Sequence, residues 1–167
     1  MNILFLTYQG DVAGSTSSIY YLTRGLAERG HDVYVGCRKE SMLYKMVEEN
    51  SPATAAAMTF SGKFDLENCR QIRNLAIEKD IQIINAQSSR DRYTSILANR
   101  LYRLQAKIIH TRRQIPRSSG FVLQNWFYTK GTDSIIAVSG GVRDALVRLG
   151  IPEKHIEVIY NGFHPEK

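Results

Sequence analysis

The sequence contains few of the residues that build disulfide frameworks and metal centres. Its 167 residues include two cysteines and four histidines. Cys37 and Cys69 are too few and too far apart in the chain for a disulfide framework or a zinc site, because both need several ligands at close spacing. We therefore predict that both cysteines are buried free thiols.

Long hydrophobic runs and a basic leader are also missing. Although 43% of the residues are hydrophobic, no stretch approaches the roughly 20 apolar residues of a membrane span. The first apolar run, 3–8, follows Met1 and Asn2 directly, so the sequence does not predict a secretory signal peptide. The length corresponds to one ordinary α/β domain. We expect a single globular domain that resides in the cytoplasm.

The sequence does contain a regular alternation of two hydrophobic periods. Short apolar runs typical of buried parallel strands occur at 3–8, 32–37, 54–60, 81–86, 107–111, 134–138 and 156–160. Between them, apolar residues at three- and four-residue spacing predict helices with one face on the sheet. Members of these stripes include Leu22, Met42, Leu66 and Leu101. The aromatic segment 119–131 predicts a further helix. The alternation predicts an α/β fold, namely a doubly wound, Rossmann-like parallel sheet of about seven strands with helices on both faces.

Ligands of such sheets bind beyond the carboxyl ends of the strands, so the loop at 9–18 is a candidate site. It combines glycines with small hydroxyl residues ahead of a helix whose N-terminal amides can hold a phosphate. Gly10 and Gly14 are four residues apart, so the loop matches neither the G-x-G-x-x-G of dinucleotide folds nor a P-loop. On these residues alone, an ordinary helix start with serine or threonine caps is an equal alternative.

Basic residues are concentrated in one block of the chain. Arg90 and Arg92 follow the fourth predicted strand, and Arg112, Arg113 and Arg117 follow the fifth. Between residues 92 and 132 there are eight lysines and arginines and no acidic residue, so the rest of the chain carries a net charge of −2 out of a total of +6. This distribution indicates a local field directed at an anion. The alternative is a solvated surface that serves solubility.

Two patterns resemble those of retaining glycosyltransferases with two Rossmann-like domains. The first is L-x-x-x-L-x-x-x-G-H-x-V-x-V, matched by Leu22, Leu26, Gly30, His31, Val33 and Val35. The second is a strand–helix–strand unit from Asp133 to the Asn161–Gly162 pair, which closes the N-terminal domain in that family. The resemblance implies an N-terminal acceptor-side domain at 1–162 and, at 163–167, the start of a linker to a C-terminal nucleotide-sugar-binding domain that this sequence lacks. The chain alone would then be inactive.

The resemblance also implies roles for individual residues. The first loop would face the donor diphosphate through Ala13, Gly14 and Ser15, with Ala13–Gly14 in place of the usual Gly-Gly. In the family, a His-x-His follows the fourth strand and a V-V-H-T-x-H motif spans the fifth. Here Asn85 and Gln87 stand at the first pair, His110–Thr111 matches the H-T, and Arg113 replaces the reactive-centre histidine.

An arginine cannot serve as a general base, so Arg113 is the catalytic candidate only in the sense of orienting groups or neutralising charge. His110 lies inside the strand and is interpreted as a packed core residue. The predicted acceptor-binding residues are Asn85, Gln87, Arg90, Arg92, Arg112 and Arg117.

The reaction that the resemblance implies is transfer of a sugar from a nucleotide-sugar with retention of anomeric configuration. No metal or other bound cofactor is expected, and the nucleotide-sugar is the donor substrate. The expected partners are the C-terminal donor domain and a carbohydrate or lipid-linked acceptor, as in polysaccharide or lipopolysaccharide biosynthesis. The aromatic segment 121–128 beside the basic block is compatible with docking on an anionic membrane leaflet at its inner face. Trp126 and its neighbours would otherwise cover the sheet or the missing domain.

Three alternatives come from other classes of protein. An NADP-binding Rossmann domain could use Arg38 to meet a 2′-phosphate, but the glycine spacing is wrong. A nucleic-acid module is suggested by a pI near 9.4 and by the interleaved arginines and tyrosines of 90–107. The apolar residues of this segment occupy one helix face as core, so no nucleic-acid partner is predicted. The third is a non-catalytic subunit that needs a separate donor domain.

Overall fold

A computed structural model describes residues 1–11, 14–115 and 122–162, except for the side chains of 122–124 and 127. The strands are β1 (Asn2–Leu6), β2 (Asp32–Cys37), β3 (Thr54–Ala57), β4 (Ile83–Ala86), β5 (Lys107–Arg112), β6 (Ser134–Ala137) and β7 (Ile156–Val158). The α-helices are α1 (Gly14–Glu28), α2 (Met42–Asn50), α3 (Leu66–Glu78), α4 (Ser89–Tyr102), α5 (Val122–Thr129) and α6 (Gly140–Arg148). A 3₁₀ turn at Glu153–His155 precedes β7.

The described strands form one sheet in the order β3-β2-β1-β4-β5-β6-β7. Each neighbouring pair is parallel, and β1 lies between β2 and β4. The predicted α/β, doubly wound parallel sheet of seven strands is therefore confirmed. The strand order reverses at β1, because the chain first extends the sheet through β2 and β3 and then returns to the other side of β1 with β4.

Successive residues of β1 enter separate hydrophobic clusters, as the two-residue period of a strand requires. Leu4 and Leu6 pack in the cluster that contains buried residues of α3 and α4. Ile3 and Phe5 pack in the cluster that contains buried residues of α1 and α2. A third cluster joins β6 and β7 to α5 and α6. The prediction of helices on both faces of the sheet is confirmed.

The predicted helix stripes are only partly correct. Leu22, Met42, Leu66 and Leu101 are exposed. On α1, Thr16 and Thr23 are buried with Ile19 and Tyr20. The Thr23 hydroxyl donates to the Ile19 carbonyl over 2.9 Å, which satisfies its polar group inside the core. A pattern of apolar residues misses this face because it does not count threonine as a core residue.

Two glycines have the left-handed backbone that ends a helix. Gly30 has φ 83° after α1, and Gly150 has φ 84° after α6. The Gly30 of the first family pattern is therefore the turn that returns the chain from α1 into β2.

Cys37 and Cys69 are free and fully buried, as predicted. Burial raises the pKa of each thiol to about 11. Among the described residues, no helix is both long and apolar enough to cross a membrane.

Candidate active site

A cavity of about 280 Å³ opens beyond the carboxyl ends of β1, β4 and β5. These strands are adjacent in the sheet, so the loops that follow them meet at one edge, at the point where the strand order reverses. The cavity is lined by Thr7, Tyr8, Gln9, Ser15, Ile19, Lys63, Gln87, Ser88, Ser89, Arg90, Thr111, Arg112, Arg113 and Gln114.

The charge around this cavity has one sign. Lys63, Arg90, Arg112 and Arg113 line it, and no aspartate or glutamate is among the described lining residues. Cationic side chains that line a partly enclosed cleft, with no anionic side chain among them, concentrate a positive potential there. The cavity is therefore suited to an anionic group.

Arg113 is held by a chain of polar side chains that connects β5 to β4. One of its terminal nitrogens donates to the Gln87 carboxamide oxygen. The Gln87 amide donates to Asn85 Oδ1 over 2.9 Å, and the Thr111 hydroxyl donates to the same oxygen over 2.8 Å. Burial lowers the pKa of Arg113 to about 10, so it remains a cation at neutral pH. The residues at the family's histidine positions thus form one connected group.

Arg90 and Arg112 are fixed by other contacts at the cavity wall. The Arg90 guanidinium lies 4.3 Å from the centre of the Tyr8 ring, and its Nη1 donates to the Phe60 carbonyl over 3.0 Å. Arg112 Nη1 donates to the Ser89 hydroxyl over 3.2 Å. The Nε atoms of Arg112 and Arg113 are buried without a hydrogen-bond partner among the described residues. Donors of this kind can bind the oxygens of a ligand.

The two glycines of the first loop differ in their surroundings. A Cβ at Gly10 would lie 2.6 Å from Ser41 Cβ, whereas a Cβ at Gly14 would meet no described atom within 4 Å. Gly14 begins α1, and Ser15 after it lines the cavity. Gly10 is therefore needed for packing, while the space beside Gly14 is open. Ala13, predicted for the same donor loop, lies outside the described residues.

We expect Gly10→Ala and Gly14→Ala to separate these two roles. Gly10→Ala should destabilise the chain by about 1–3 kcal/mol because the buried Ser41 must move. Gly14→Ala should leave stability unchanged or raise it slightly, since alanine favours a helix more than glycine does. Urea unfolding monitored by circular dichroism measures both. Similar losses in the two variants would contradict the assignment of Gly10 alone to packing.

Arg92 is not brought into the cavity. It is 1% exposed, and its guanidinium lies 3.8 Å from the centre of the Tyr128 ring and 4.9 Å from that of Tyr93. The loop predicted after the fourth strand is already helix α4 from Ser89 onward. Residues two apart on a helix point roughly 200° away from each other. Arg90 therefore reaches the cavity while Arg92 packs in the interior, and the prediction that Arg92 lines the cleft needs this correction.

The other predicted residues are placed as follows. Ser15, Gln87, Arg90, Arg112 and Arg113 line the cavity, and Asn85 lies directly behind Gln87. Arg117 is outside the described residues.

The prediction that His110 is a core residue is confirmed, because it is fully buried and its Nδ1 lies 3.1 Å from the Ala86 carbonyl oxygen. Burial, together with the nearby Arg92, lowers its pKa well below the usual value.

Several lining residues were missed by sequence reasoning. Thr7 and Tyr8 were assigned to the first strand, but β1 ends at Leu6, which places them at the strand end where ligand sites form. Lys63 lies in the loop between β3 and α3, for which the sequence predicts no site. The signal was available for Thr7 and Tyr8, because both carry a hydroxyl group at the carboxyl end of a predicted apolar run.

Asp91 forms the support behind the cavity wall. It is fully buried, and its Oδ1 accepts a hydrogen bond from the Tyr8 backbone N–H over 3.0 Å. Its Oδ2 is buried without a partner among the described residues. Burial raises the pKa of this carboxyl to about 7. Asp91 thereby connects the segment after β1 to the first turn of α4.

No group of three potential metal-ligating side chains occurs in the described ranges.

Solved structures share this architecture at low sequence identity. HepE of Anabaena in complex with UDP-glucose has 20% identity and a TM-score of 0.79, over 98% of this chain and 44% of that one. The lipopolysaccharide outer core galactosyltransferase WaaB, in its apo form, has 14% identity and a TM-score of 0.73, over 99% and 47%. The UDP-GlcNAc 2-epimerase of Methanocaldococcus jannaschii has 14% identity and a TM-score of 0.63, over 96% and 46%.

The chain therefore spans less than half the length of these structures. Because a transferase and an epimerase both match, the likeness shows the fold alone. A search of curated proteins finds no match.

The fold and the cavity define a Rossmann-like domain with a cationic site at the reversal point of its sheet. The sequence is more specific, since residues 12–167 match the family described as Glycosyltransferase Family 4. The chain belongs to Glycosyltransferase Family 4, and its fold is that of a single domain of the GT-B type, in which two Rossmann-like domains make up a glycosyltransferase. The family resemblance drawn from the sequence patterns is confirmed.

Proposed function

We propose that this chain is the N-terminal, acceptor-binding half of a retaining glycosyltransferase that transfers a sugar from a nucleotide-sugar to an anionic acceptor. The proposed acceptor is a cell-envelope glycan or a lipid-linked precursor, as in polysaccharide or lipopolysaccharide biosynthesis. The observation that carries the proposal is the cavity with four cations and no described acid, in a chain of Glycosyltransferase Family 4.

The proposed roles follow from the positions of the residues. The open space beside Gly14 and the hydroxyl of Ser15 lie at the N-terminus of α1, where backbone amides and the helix dipole favour a phosphate. Arg90, Arg112 and Arg113 would bind a phosphate or carboxylate of the acceptor. Arg113 would neutralise charge without exchanging a proton, because its pKa remains far above neutral pH.

The proposed domain boundary at residue 162 assigns the nucleotide to a C-terminal domain. HepE, bound to UDP-glucose, is more than twice as long as the part that this chain covers, which supports this division. The whole protein would thus place the donor between two domains, with the acceptor in the cavity described above.

We expect the isolated chain to bind nucleotide-sugars no tighter than millimolar, a binding free energy of about 4 kcal/mol, because it offers only the amides and hydroxyls of one loop. Isothermal titration calorimetry with a panel of nucleotide-sugars measures this affinity. Micromolar binding of any of them to the chain would contradict the assignment of the donor site to another domain.

The transfer itself is tested with the protein encoded by the chain plus its downstream coding sequence. We expect turnover of a nucleotide-sugar with a phosphorylated or carboxylated acceptor, and a product with the donor's anomeric configuration by NMR. Turnover with inversion, or equal turnover of matched neutral and anionic acceptors, would contradict the proposal. Arg38, on which the NADP alternative depends, is exposed and lies 2.9 Å from the Asp11 carboxylate, whose negative charge opposes a 2′-phosphate at this position.

A further inference from the structure

Arg92 is a cation that the fold places inside the protein, behind the wall of the cavity. It is 1% exposed and is the fourth residue of α4, whose first two residues, Ser89 and Arg90, line the cavity. Two residues of an α-helix rise only about 3 Å, so the backbone of Arg92 lies close to the cavity although its side chain points into the interior. Because burying an unpaired charge is costly, the surroundings of this arginine decide what it can do.

Among the described residues, no carboxylate pairs with Arg92. None of the ion pairs in this part of the chain includes it, and the sequence has no acidic residue from 92 to 132. The carboxyl of the preceding Asp91 accepts a hydrogen bond from the Tyr8 backbone instead. The Arg92 guanidinium lies 3.8 Å from the centre of the Tyr128 ring, and a ring face attracts a cation without neutralising it. Arg92 is therefore a buried charge that its described neighbours leave uncompensated.

His110 connects this buried charge to the cavity. Its ring centre lies 5.8 Å from that of Tyr128, the residue against which Arg92 packs, and β5, to which it belongs, ends at the cavity. Burial lowers the pKa of this imidazole, and the charges of Arg92, Arg112 and Arg113 lower it further. One imidazole is thus within electrostatic reach of the buried arginine and of two arginines that line the cavity.

We propose that Arg92 is a specificity-determining residue, whose charge strengthens the binding of an anion in the cavity without touching it. A charge inside a protein is screened much less than a charge on the surface. At an effective dielectric constant of about 20, a unit charge about 10–20 Å from an anion changes its affinity by a factor of roughly 4 to 16. The inference rests on the proposed function in one respect, namely that the cavity binds an anionic group.

Titration of the chain with inorganic phosphate tests the proposal, with the amide NMR signals of Ser89 and Thr111 reporting on binding at the cavity wall. We expect Arg92→Met, which keeps an unbranched side chain over the Tyr128 ring and removes the charge, to bind phosphate about 4- to 16-fold more weakly than the wild type. Arg92→Gln, which keeps a polar group, should show the same loss. Denaturant unfolding checks that both variants are folded, and Arg92→Met should be at least as stable as the wild type because it no longer buries a charge.

The matched control is Arg100→Met. Arg100 also lies on α4, and its guanidinium is 4.4 Å from the centre of the Trp126 ring, so it too packs on an aromatic residue of α5. It is exposed, however, and eight residues of helix, or about 12 Å, separate it from Arg92. Arg100→Met should bind phosphate nearly as the wild type does, and any difference should disappear as salt is added. The ratio of affinities between the wild type and Arg92→Met should persist in salt.

Arg113→Ala separates this inference from the proposed function. If phosphate binding requires Arg113 but is unchanged in Arg92→Met and Arg92→Gln, the inference is overturned and the cavity remains an anion site. If Arg113→Ala binds phosphate like the wild type, or if the wild type binds none at its cavity wall, the inference and the anionic acceptor both fail. Equal losses in Arg92→Met and Arg100→Met would show an effect of net charge alone and would also overturn the inference.

Discussion

Replacing Arg113 with alanine should weaken binding of the proposed anionic acceptor by about 10- to 150-fold, because a desolvated charge-assisted hydrogen bond contributes roughly 1.5–3 kcal/mol. Arg113 is half-buried, its Nε is buried without a partner among the described residues, and its guanidinium donates to Gln87. It therefore loses little conformational freedom and little hydration when a ligand binds. Arg113→Lys should recover only part of the affinity, since an ammonium group cannot reproduce a planar fork.

The acceptor Michaelis constant of the whole enzyme at saturating donor measures this effect. The control is Arg103→Ala, which removes an exposed arginine of the same basic block from the C-terminal cap of α4. An exposed arginine of this kind contributes little to any single contact, so the control should match the wild type. Equal Michaelis constants for Arg113→Ala, Arg103→Ala and the wild type would remove the basis for an anionic acceptor.

Asp91→Asn should change the pH dependence of stability more than any other single substitution that we consider. The carboxyl has a pKa of about 7 in the fold and about 4 in an unfolded chain. Between these values the folded protein binds more protons than the unfolded protein, so Asp91 makes the wild type less stable as the pH rises. Asparagine has no such ionisation and retains an oxygen that can accept from the Tyr8 amide.

The stability difference between Asp91→Asn and the wild type should therefore shift in favour of the variant by about 4 kcal/mol between roughly pH 4 and pH 8. Taking the difference removes the opposing contribution of His110, whose lowered pKa weakens the fold as the pH falls. Denaturant unfolding at several pH values measures it. A difference that stays constant with pH, or that favours the wild type as the pH rises, would show that Asp91 does not bear a raised pKa.

The elements of the fold could be predicted because each has a clear hydrophobic period. The order of the strands in the sheet is less directly predictable from the sequence. The alternation of strands and helices nevertheless restricts the connections to crossovers between parallel strands. The predicted apolar stripes were wrong at Leu22, Met42, Leu66 and Leu101, which are exposed. On α1, Thr16 and Thr23 are buried instead. The Thr23 hydroxyl donates to the Ile19 carbonyl of its own helix, and the Thr16 hydroxyl donates to the Asp11 carbonyl just before the helix. Hydroxyl groups that are satisfied locally in this way can occupy the core, and hydropathy alone does not reveal this.

The site was predictable to the extent that it depends on strand ends. Gln87, Arg112 and Arg113 follow or lie at the ends of β4 and β5 and reach the cavity. Arg92 was misplaced because the boundary of α4 determines its direction, and helix boundaries are the least certain part of a sequence-based prediction. Asp91 could not be singled out, since its burial results from packing against the segment after β1. The contact between Lys63 and the cavity likewise depends on three-dimensional structure.

The linked side chains of Arg113, Gln87, Asn85 and Thr111 have a consequence for how this site can be altered. Arg113, Gln87 and Asn85 occupy positions at which the family pattern has histidines. Each of the four side chains uses another of them as its hydrogen-bond partner. Changing Arg113 alone to histidine would take the donor away from the Gln87 oxygen without restoring the histidine pair before it. Partners in contact have non-additive effects. Restoring the family's histidines in this chain would therefore require replacing residues 85, 87 and 113 together. Replacing only one of them would leave side chains without hydrogen-bond partners, and such a variant should be less active than either complete set.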